Sequence, residues 1–295
     1  NKKNKNKNKN KKKKKKKNNK DDIVVESKDN SYDKQDVKLD NAHDGGQLFP
    51  KEEFIVMSDE KLGRGASAIV IKAFHVVSCR VAAIKTARST HKNIQHQTNQ
   101  EINVLQKMNS SKYIINMIRH GKDCETNATK IALEYMDGGS LKDYIQSHSH
   151  RPCMEGIVKY VSFSVLQGLK QLHEQNYVHN DVKPGNILYN MAGDVKLSDF
   201  GTVMELHPDC PGLDMLTVNC GTAKYVAPEK AQATQIRYGA KADIWSFGLA
   251  IFELCTGQLI HSDTPSTQLY FHPPQLDALV FSKDCCDFIR SCLIQ

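Results

Sequence analysis

The hydrophobic pattern of this chain changes its period once, and that change restricts the fold more than any other feature. From about residue 48 to residue 135 the apolar residues come in short pieces. Ile69-Val70-Ile71, residues 80–84 and residues 131–134 are rich in β-formers and bounded by turns. A helix is predicted among them over residues 99–108, with Ile102, Leu105 and Met108 on one face and Glu101 beside it. After Gly138-Gly139 the spacing becomes helical. Ile157, Val161, Val165, Leu169 and Leu172 predict an amphipathic helix of about four turns. Residues 186–189 and 195–197 flank Met191-Ala-Gly-Asp194 and form a hairpin pattern. An irregular stretch over 202–225 precedes further helix from Ala240. This order predicts an α+β fold of two lobes. A β-rich lobe covers about residues 50–135, a larger helical lobe about 136–295, and a cleft lies between them.

Charge is distributed unevenly. The net charge of +8 suggests a nucleic-acid or membrane partner until the first 20 residues are set aside, for they consist of 13 Lys and 7 Asn. Taking those lysines from the 41 basic residues leaves 28 against 33 acidic, so residues 21–295 carry a net −5. Such a tail cannot bury a core and is expected to be disordered, with 21–49 as a charged linker. The remainder also lacks the basic aromatic pattern of a nucleic-acid surface, which sets that class aside. No apolar run reaches the roughly 18 residues of a membrane span. The N-terminus is too polar for a signal peptide. Nine cysteines without Cys-x-x-Cys spacing predict reduced thiols and a cytoplasmic or nuclear compartment.

Four segments carry chemistry. Leu62-Gly-Arg-Gly-Ala-Ser-Ala-Ile-Val70 places Gly63 and Gly65 between two strands, where backbone N–H groups can approach phosphate oxygens. The same residues also suit an ordinary hairpin. Val81-Ala-Ala-Ile-Lys85 is an apolar strand ending in a lysine, and Glu101 follows sixteen residues later. A lysine in apolar surroundings needs a partner to stay charged, although a lone one is usually a solvated edge charge. Val178-His-Asn-Asp-Val-Lys-Pro-Gly-Asn-Ile-Leu188 and Lys196-Leu-Ser-Asp-Phe-Gly201 supply Asp181, Asn186 and Asp199. The hairpin folds Asn186 and Asp199 to one side, and their oxygens suit Mg2+. Asp181 is left to take a hydroxyl proton. Singly, each of the three also suits a turn or a cap.

Together these segments resemble the eukaryotic protein kinase family over roughly residues 50–295. The resemblance implies ATP and Mg2+ as cofactors and a protein hydroxyl as acceptor. It makes Gly63 and Gly65 the glycine-rich loop, Lys85 the phosphate-orienting lysine and Glu101 its helix partner. It makes Asp181 the base, and Asn186 and Asp199 the metal ligands. Ala227-Pro-Glu229 resembles the close of the activation segment, and Asp243-Ile-Trp-Ser-Phe-Gly248 a later structural motif. Lys183, with Thr222 after Gly221, is similar to the serine/threonine pattern. Glu134-Tyr-Met-Asp-Gly-Gly-Ser-Leu141 and Asp181-Val-Lys-Pro-Gly-Asn-Ile-Leu188 look most like MAP kinase kinases, with dual specificity as a finer expectation. By that resemblance Leu62, Val70, Ala83 and Leu188 line the nucleotide site, and Leu133 is the gatekeeper. Glu134 and Met136 offer backbone atoms to adenine, and Ser140 and Asp143 reach the ribose; Ser140 equally suits a helix cap.

Three departures from the pattern stand out. Ala68 replaces the loop's third glycine. Asn180 stands where the family has an arginine that pairs with a phosphorylated activation-segment residue, and a neutral amide cannot form that bidentate bond. Phosphorylation between Thr202 and Thr222, with Thr217 as candidate, is therefore expected not to be read out in the family's way. The chain stops at Gln295, inside what resembles a late helix. A truncated C-terminal lobe is expected, with Arg290 as a substitute partner for Glu229.

The basic tail has two readings. Lysines 11–17 and Lys20 ahead of Ile23-Val-Val25 resemble the segment by which MAP kinase kinases dock a MAP kinase. A solvated low-complexity tract is the blander reading, and nuclear import or nucleic-acid contact a third. The rival to an enzyme is a pseudokinase scaffold that binds ATP or partners without phosphoryl transfer. Asn180 and Ala68 favour it, and intact Lys85, Glu101, Asp181, Asn186 and Asp199 oppose it.

Overall fold

The structure is a computed structural model, and it describes residues 47–64, 68–87, 92–206, 214–215, 221–231, 237–260 and 264–294. The lysine tail, the docking segment at 23–25, Gly65 and Thr217 lie outside the described residues.

Five antiparallel strands make the first lobe: β1 (Phe54–Arg64), β2 (Ala68–His75), β3 (Arg80–Ala87), β4 (Met117–Lys122) and β5 (Thr129–Glu134). Their order is β1-β2-β3-β5-β4, with a helix, α1 (Lys92–Lys107), between β3 and β4. Alternation along β3 decides what the lobe does. Ala82 and Ile84 are buried with Phe49, Phe54, Ala73 and Ala132, which turns Ala83 and Lys85 to the other face. Helix α1 starts two turns earlier than its apolar spacing predicts. Its opening residues, Lys92-Asn-Ile-Gln-His, are mostly exposed and have no stripe to signal them. Strand β4 was not legible either, because Met-Ile-Arg-His-Gly-Lys neither alternates nor runs apolar.

The second lobe opens with the short strand β6 (Gly139–Ser140) and helix α2 (Leu141–Ser147). Helix α3 (Glu155–Glu174) follows, then β7 (Tyr177–Val178) and the hairpin β8 (Ile187–Tyr189) and β9 (Val195–Leu197). The hairpin forms where the sequence places it. Helix α3 buries Val158, Val161, Val165, Leu169 and Leu172. Ile157 is 38% exposed, so Val158 occupies the stripe position expected of Ile157. Strand β10 (Met204–Glu205) pairs with β7, and β11 (Asp214–Met215) pairs with β12 (Arg237–Tyr238). Helices α4 (Pro228–Ala231), α5 (Lys241–Thr256), α6 (Ser266–Phe271) and α7 (Lys283–Cys292) complete it.

Helix α5 is apolar on nearly every side and sits inside the lobe, with Phe247, Leu249, Ala250 and Ile251 fully buried. Each such Leu, Ile or Phe contributes about 1.5–3 kcal/mol by burial. Gly248 lies so close to Cys292 of α7 that an added Cβ would stand 2.8 Å from the cysteine Cβ. Among the described residues no helix is long and apolar enough to cross a membrane. The result is the α+β arrangement of a sheet-built N-terminal lobe and a helical C-terminal lobe.

Candidate active site

Lys85 leaves β3 between Val70 of β2 and Ile131 of β5, its register partners. Its Nζ donates to Glu101 Oε1 at 2.6 Å and Oε2 at 2.8 Å, and to Asp199 Oδ1 at 2.8 Å. Glu101 comes from the buried face of α1 and Asp199 from the loop after β9. Burial acts against the Lys85 charge, yet the two carboxylates outweigh it and hold the ammonium above its usual range. Burial likewise works to raise Asp199, but the Lys85 charge and hydrogen bond prevail and leave that carboxyl below the ordinary range. For Glu101 burial is the larger effect and pushes its carboxyl up, against Lys85. Asp199 stands at φ 65°, a left-handed conformation that costs a non-glycine residue free energy and persists because its surroundings hold it. Lys85, Glu101, Asp199, Gly201, Ala68 and Ile131 line one hollow.

The loop after β7 carries Asp181. Lys183 Nζ donates to Asp181 Oδ2 at 2.6 Å and to Thr222 Oγ1 at 2.8 Å. Thr222 donates both its backbone N–H and its hydroxyl to Asp181 Oδ1, each at 2.8 Å. Asn186 Nδ2 donates to the Asp181 carbonyl at 2.8 Å and to Oδ2 at 3.1 Å. Asp181 is thus not left open, as the sequence suggests, but surrounded by donors from its own loop and from the end of the irregular segment. That approach requires glycine at 221. Its φ is +95°, and a Cβ there would fall 2.3 Å from the Asn180 carbonyl oxygen.

Asp243 at the start of α5 holds this loop. It is fully buried, and its Oδ1 accepts from the Asn180 amide at 2.9 Å. Its Oδ2 accepts from the His179 amide at 2.8 Å and lies 2.8 Å from His173 Nε2. Asn186 connects the loop to Asp199 through the backbone, its carbonyl accepting the Ser198 amide at 2.9 Å.

The residues resembling the nucleotide edge are brought together in part. Ala83 pairs with Leu133, Gly63 with Val70, and Leu188 with Ser140. Leu62 is 43% exposed on β1, and Met136 is buried. The Glu134 side chain accepts the Asn116 amide at 2.7 Å and pairs with Lys196 Nζ at 2.6 Å. This ties β5 to β9 behind the cleft. Ser140 and Asp143 face each other in a capping box. Ser140 Oγ donates to Asp143 Oδ2 at 2.6 Å, and the Asp143 amide donates back to Ser140 Oγ at 3.2 Å. The cap engages both side chains. Arg290 Nη1 bonds to Asp287 at 2.6 Å within α7, and among the described residues no ion pair joins Arg290 to Glu229.

Among the described residues no group of three His, Cys, Asp or Glu side chains forms a metal cage. What Asn186 and Asp199 offer is one amide oxygen and one carboxylate. Such a partial donor set fits Mg2+, which keeps waters and shares phosphate oxygens. Sequence reasoning missed Lys196, Asn116, Thr202 and Lys230. Their partners lie 18 to 62 residues away in the cases of Asn116 and Lys196, and nothing local signals such pairing.

A strand-built lobe with an ion-paired lysine, facing a helical lobe that carries Asp181 and Asp199, defines a phosphoryl-transfer class of protein. The protein kinase domain model matches residues 56–295, and the chain belongs to the protein kinase family. The family implies the use of ATP and a divalent cation. The chain is 33% identical over 239 residues to mitogen-activated protein kinase kinase 3 of Arabidopsis thaliana, covering 79% of this chain and 45% of that one. It is 33% identical over 252 residues to serine/threonine-protein kinase cst-1 of Caenorhabditis elegans, covering 83% and 48%. With mitogen-activated protein kinase kinase 2 of Arabidopsis thaliana it shares 31% over 264 residues, covering 83% and 70%. The chain therefore spans about half the length of the first two relatives.

Proposed function

We propose that this chain transfers the γ-phosphoryl group of ATP to a serine or threonine hydroxyl of a protein. The observation that carries the reading is the Lys183 ammonium bonded at once to Asp181 and Thr222, at 2.6 and 2.8 Å. A cation beside the base and tied to the end of the segment suits a small aliphatic hydroxyl as acceptor. Asp181 accepts the proton as the hydroxyl oxygen bonds to the γ-phosphorus and the bond to the bridging oxygen breaks. Lys85, fixed by Glu101, orients the α- and β-phosphates, and Lys183 balances charge developing on the γ-phosphoryl oxygens. Asn186 and Asp199 would hold Mg2+, which when bound neutralises triphosphate charge. The backbone of Glu134 and Met136 meets adenine, with Leu133 behind it and Leu62, Val70, Ala83 and Leu188 on its faces.

The finer reading is a MAP kinase kinase-like enzyme acting on a MAP kinase and docked through the lysine tail. It is supported by the motif at 134–141 and by two relatives that carry the name. Purified protein with Mg-ATP labelled on the γ-phosphate and an array of Ser, Thr and Tyr peptides tests the activity. Label on Ser or Thr peptides, lost in Asp181→Asn, supports it. ATP binding without label transfer identifies a scaffold instead. Removal of residues 1–20 tests docking, and unchanged MAP kinase binding would discard it.

A further inference from the structure

A second lysine beside the catalytic loop has no part in the reading above. Lys230, on the short helix α4, is only 3% exposed, and its Nζ lies 3.1 Å from Asn180 Oδ1. An ammonium that deep in the protein is tolerable only with polar partners, and a charge-assisted bond to an amide is roughly twice as strong as a neutral one. Asn180 is itself buried and stands at φ 65°. Its side chain faces two ways, because Nδ2 donates to the Thr202 carbonyl at 3.3 Å. Thr202 in turn donates its hydroxyl to the His179 carbonyl at 3.1 Å. One amide therefore joins Thr202, at the start of the irregular segment, to Lys230, just after its end. It does so one residue before Asp181. Position 180 is also where the sequence has a neutral residue in place of the family's cation, and the fold brings a cation to it from position 230.

We propose that Lys230 is a positioning residue for phosphoryl transfer: through Asn180 its ammonium fixes the backbone that aims Asp181. The inference rests on the kinase reading. Lys230 bonds to Asn180, next to Asp181, whereas Lys85 is held by Glu101 and Asp199, so loss of Lys230 is expected to disturb the aim of Asp181 and to leave nucleotide binding alone. Lys230→Met is expected to lower kcat about tenfold, the effect of a small misplacement of a reacting group, with KM for ATP unchanged.

A reciprocal exchange separates positioning from simple packing. Asn180→Arg sets a guanidinium against the ammonium and is expected to be less active than wild type. Asn180→Arg with Lys230→Leu removes the repulsion while keeping one cation, and is expected to regain most of the activity. Unchanged kcat per folded molecule in Lys230→Met overturns the proposal. So does a double variant no better than Asn180→Arg alone, and this comparison stands if Lys230→Met does not fold. If the wild-type chain transfers no phosphate, the kinase reading fails. Amide hydrogen exchange at His179, Asn180 and Asp181 then decides the clamp: faster exchange in Lys230→Met supports it, and equal exchange refutes it.

Discussion

Lys85 and Asp199 are 114 residues apart in the chain, and their ion pair, Nζ to Oδ1 at 2.8 Å, crosses from the strand lobe to the helical lobe. With Glu101 on the other side of the same ammonium, one cation organises three elements that have no local reason to meet. In water such a pair is worth little. Here Glu101 is almost fully buried and Lys85 only 15% exposed, so the attraction is less screened and each carboxylate depends on the lysine.

Lys85→Met is expected to reduce phosphoryl transfer by about 10²–10³-fold, the scale of removing a preorganised charge from a reacting phosphate. It also leaves the Glu101 carboxylate buried without its cation. We expect a stability loss of about 1–3 kcal/mol from the buried group left without its partner. Single-turnover assays and urea unfolding measure the two effects. Transfer at the wild-type rate would refute the role given to Lys85.

Thr222→Val removes a hydroxyl that donates to Asp181 and accepts from Lys183 while nearly preserving shape. The expected result is a drop in kcat of about tenfold with KM for ATP unchanged, since the lost bonds sit at the acceptor side of the site. Thr222→Ser, which keeps the hydroxyl, is expected to stay close to wild type. Wild-type activity in Thr222→Val would refute the role given to the hydroxyl, and a loss confined to Thr222→Ser would point to packing of the methyl group instead.

Asp243→Asn replaces an acceptor oxygen by an NH2 group in a site filled with donors: two backbone amides and His173. At least one buried N–H loses its partner, at a cost of about 1–3 kcal/mol. The loop that carries Asp181 should loosen with it. Thermal unfolding and amide exchange at His179 and Asn180 report this, and exchange rates equal to wild type would show that the loop is held by other means.

Asp123 provides a pH test away from the site. Its carboxylate pairs with Lys130 and accepts the Thr126 amide and hydroxyl at 3.0 and 2.8 Å. The Lys130 hydrogen bond is the largest effect and, with Thr126, holds the group well below the carboxylate range despite burial. A depressed folded value means that the stabilisation is fully present above the unfolded value of about 4 and fades as pH falls below it. The stability difference between wild type and Asp123→Asn should thus be constant from neutral pH to about pH 5 and shrink in more acidic solution. A difference that stays constant down to pH 2 would contradict the assignment.

Much of the architecture was legible before any coordinates, because periodicity is a local property. The apolar spacing of α3, the hairpin across 191–194 and the strands around Ile69, Val81 and Ile131 follow from side chains a few residues apart. So does the Ser140 cap, whose partner Asp143 is three residues away. The identities of Lys85, Glu101, Asp181, Asn186 and Asp199 were likewise readable from motif order. Only the tertiary structure decided how their charges are balanced. It sets Thr222 and Lys183 around Asp181, Asp243 beneath the loop, Lys196 against Glu134, and Lys230 against Asn180. Each of these bonds joins residues that are separated along the chain or brought together by a turn whose path the sequence does not specify. An ion pair or buried hydrogen bond depends on distances of a few ångströms and on exclusion of water, and both exist only once the elements that carry the residues have packed.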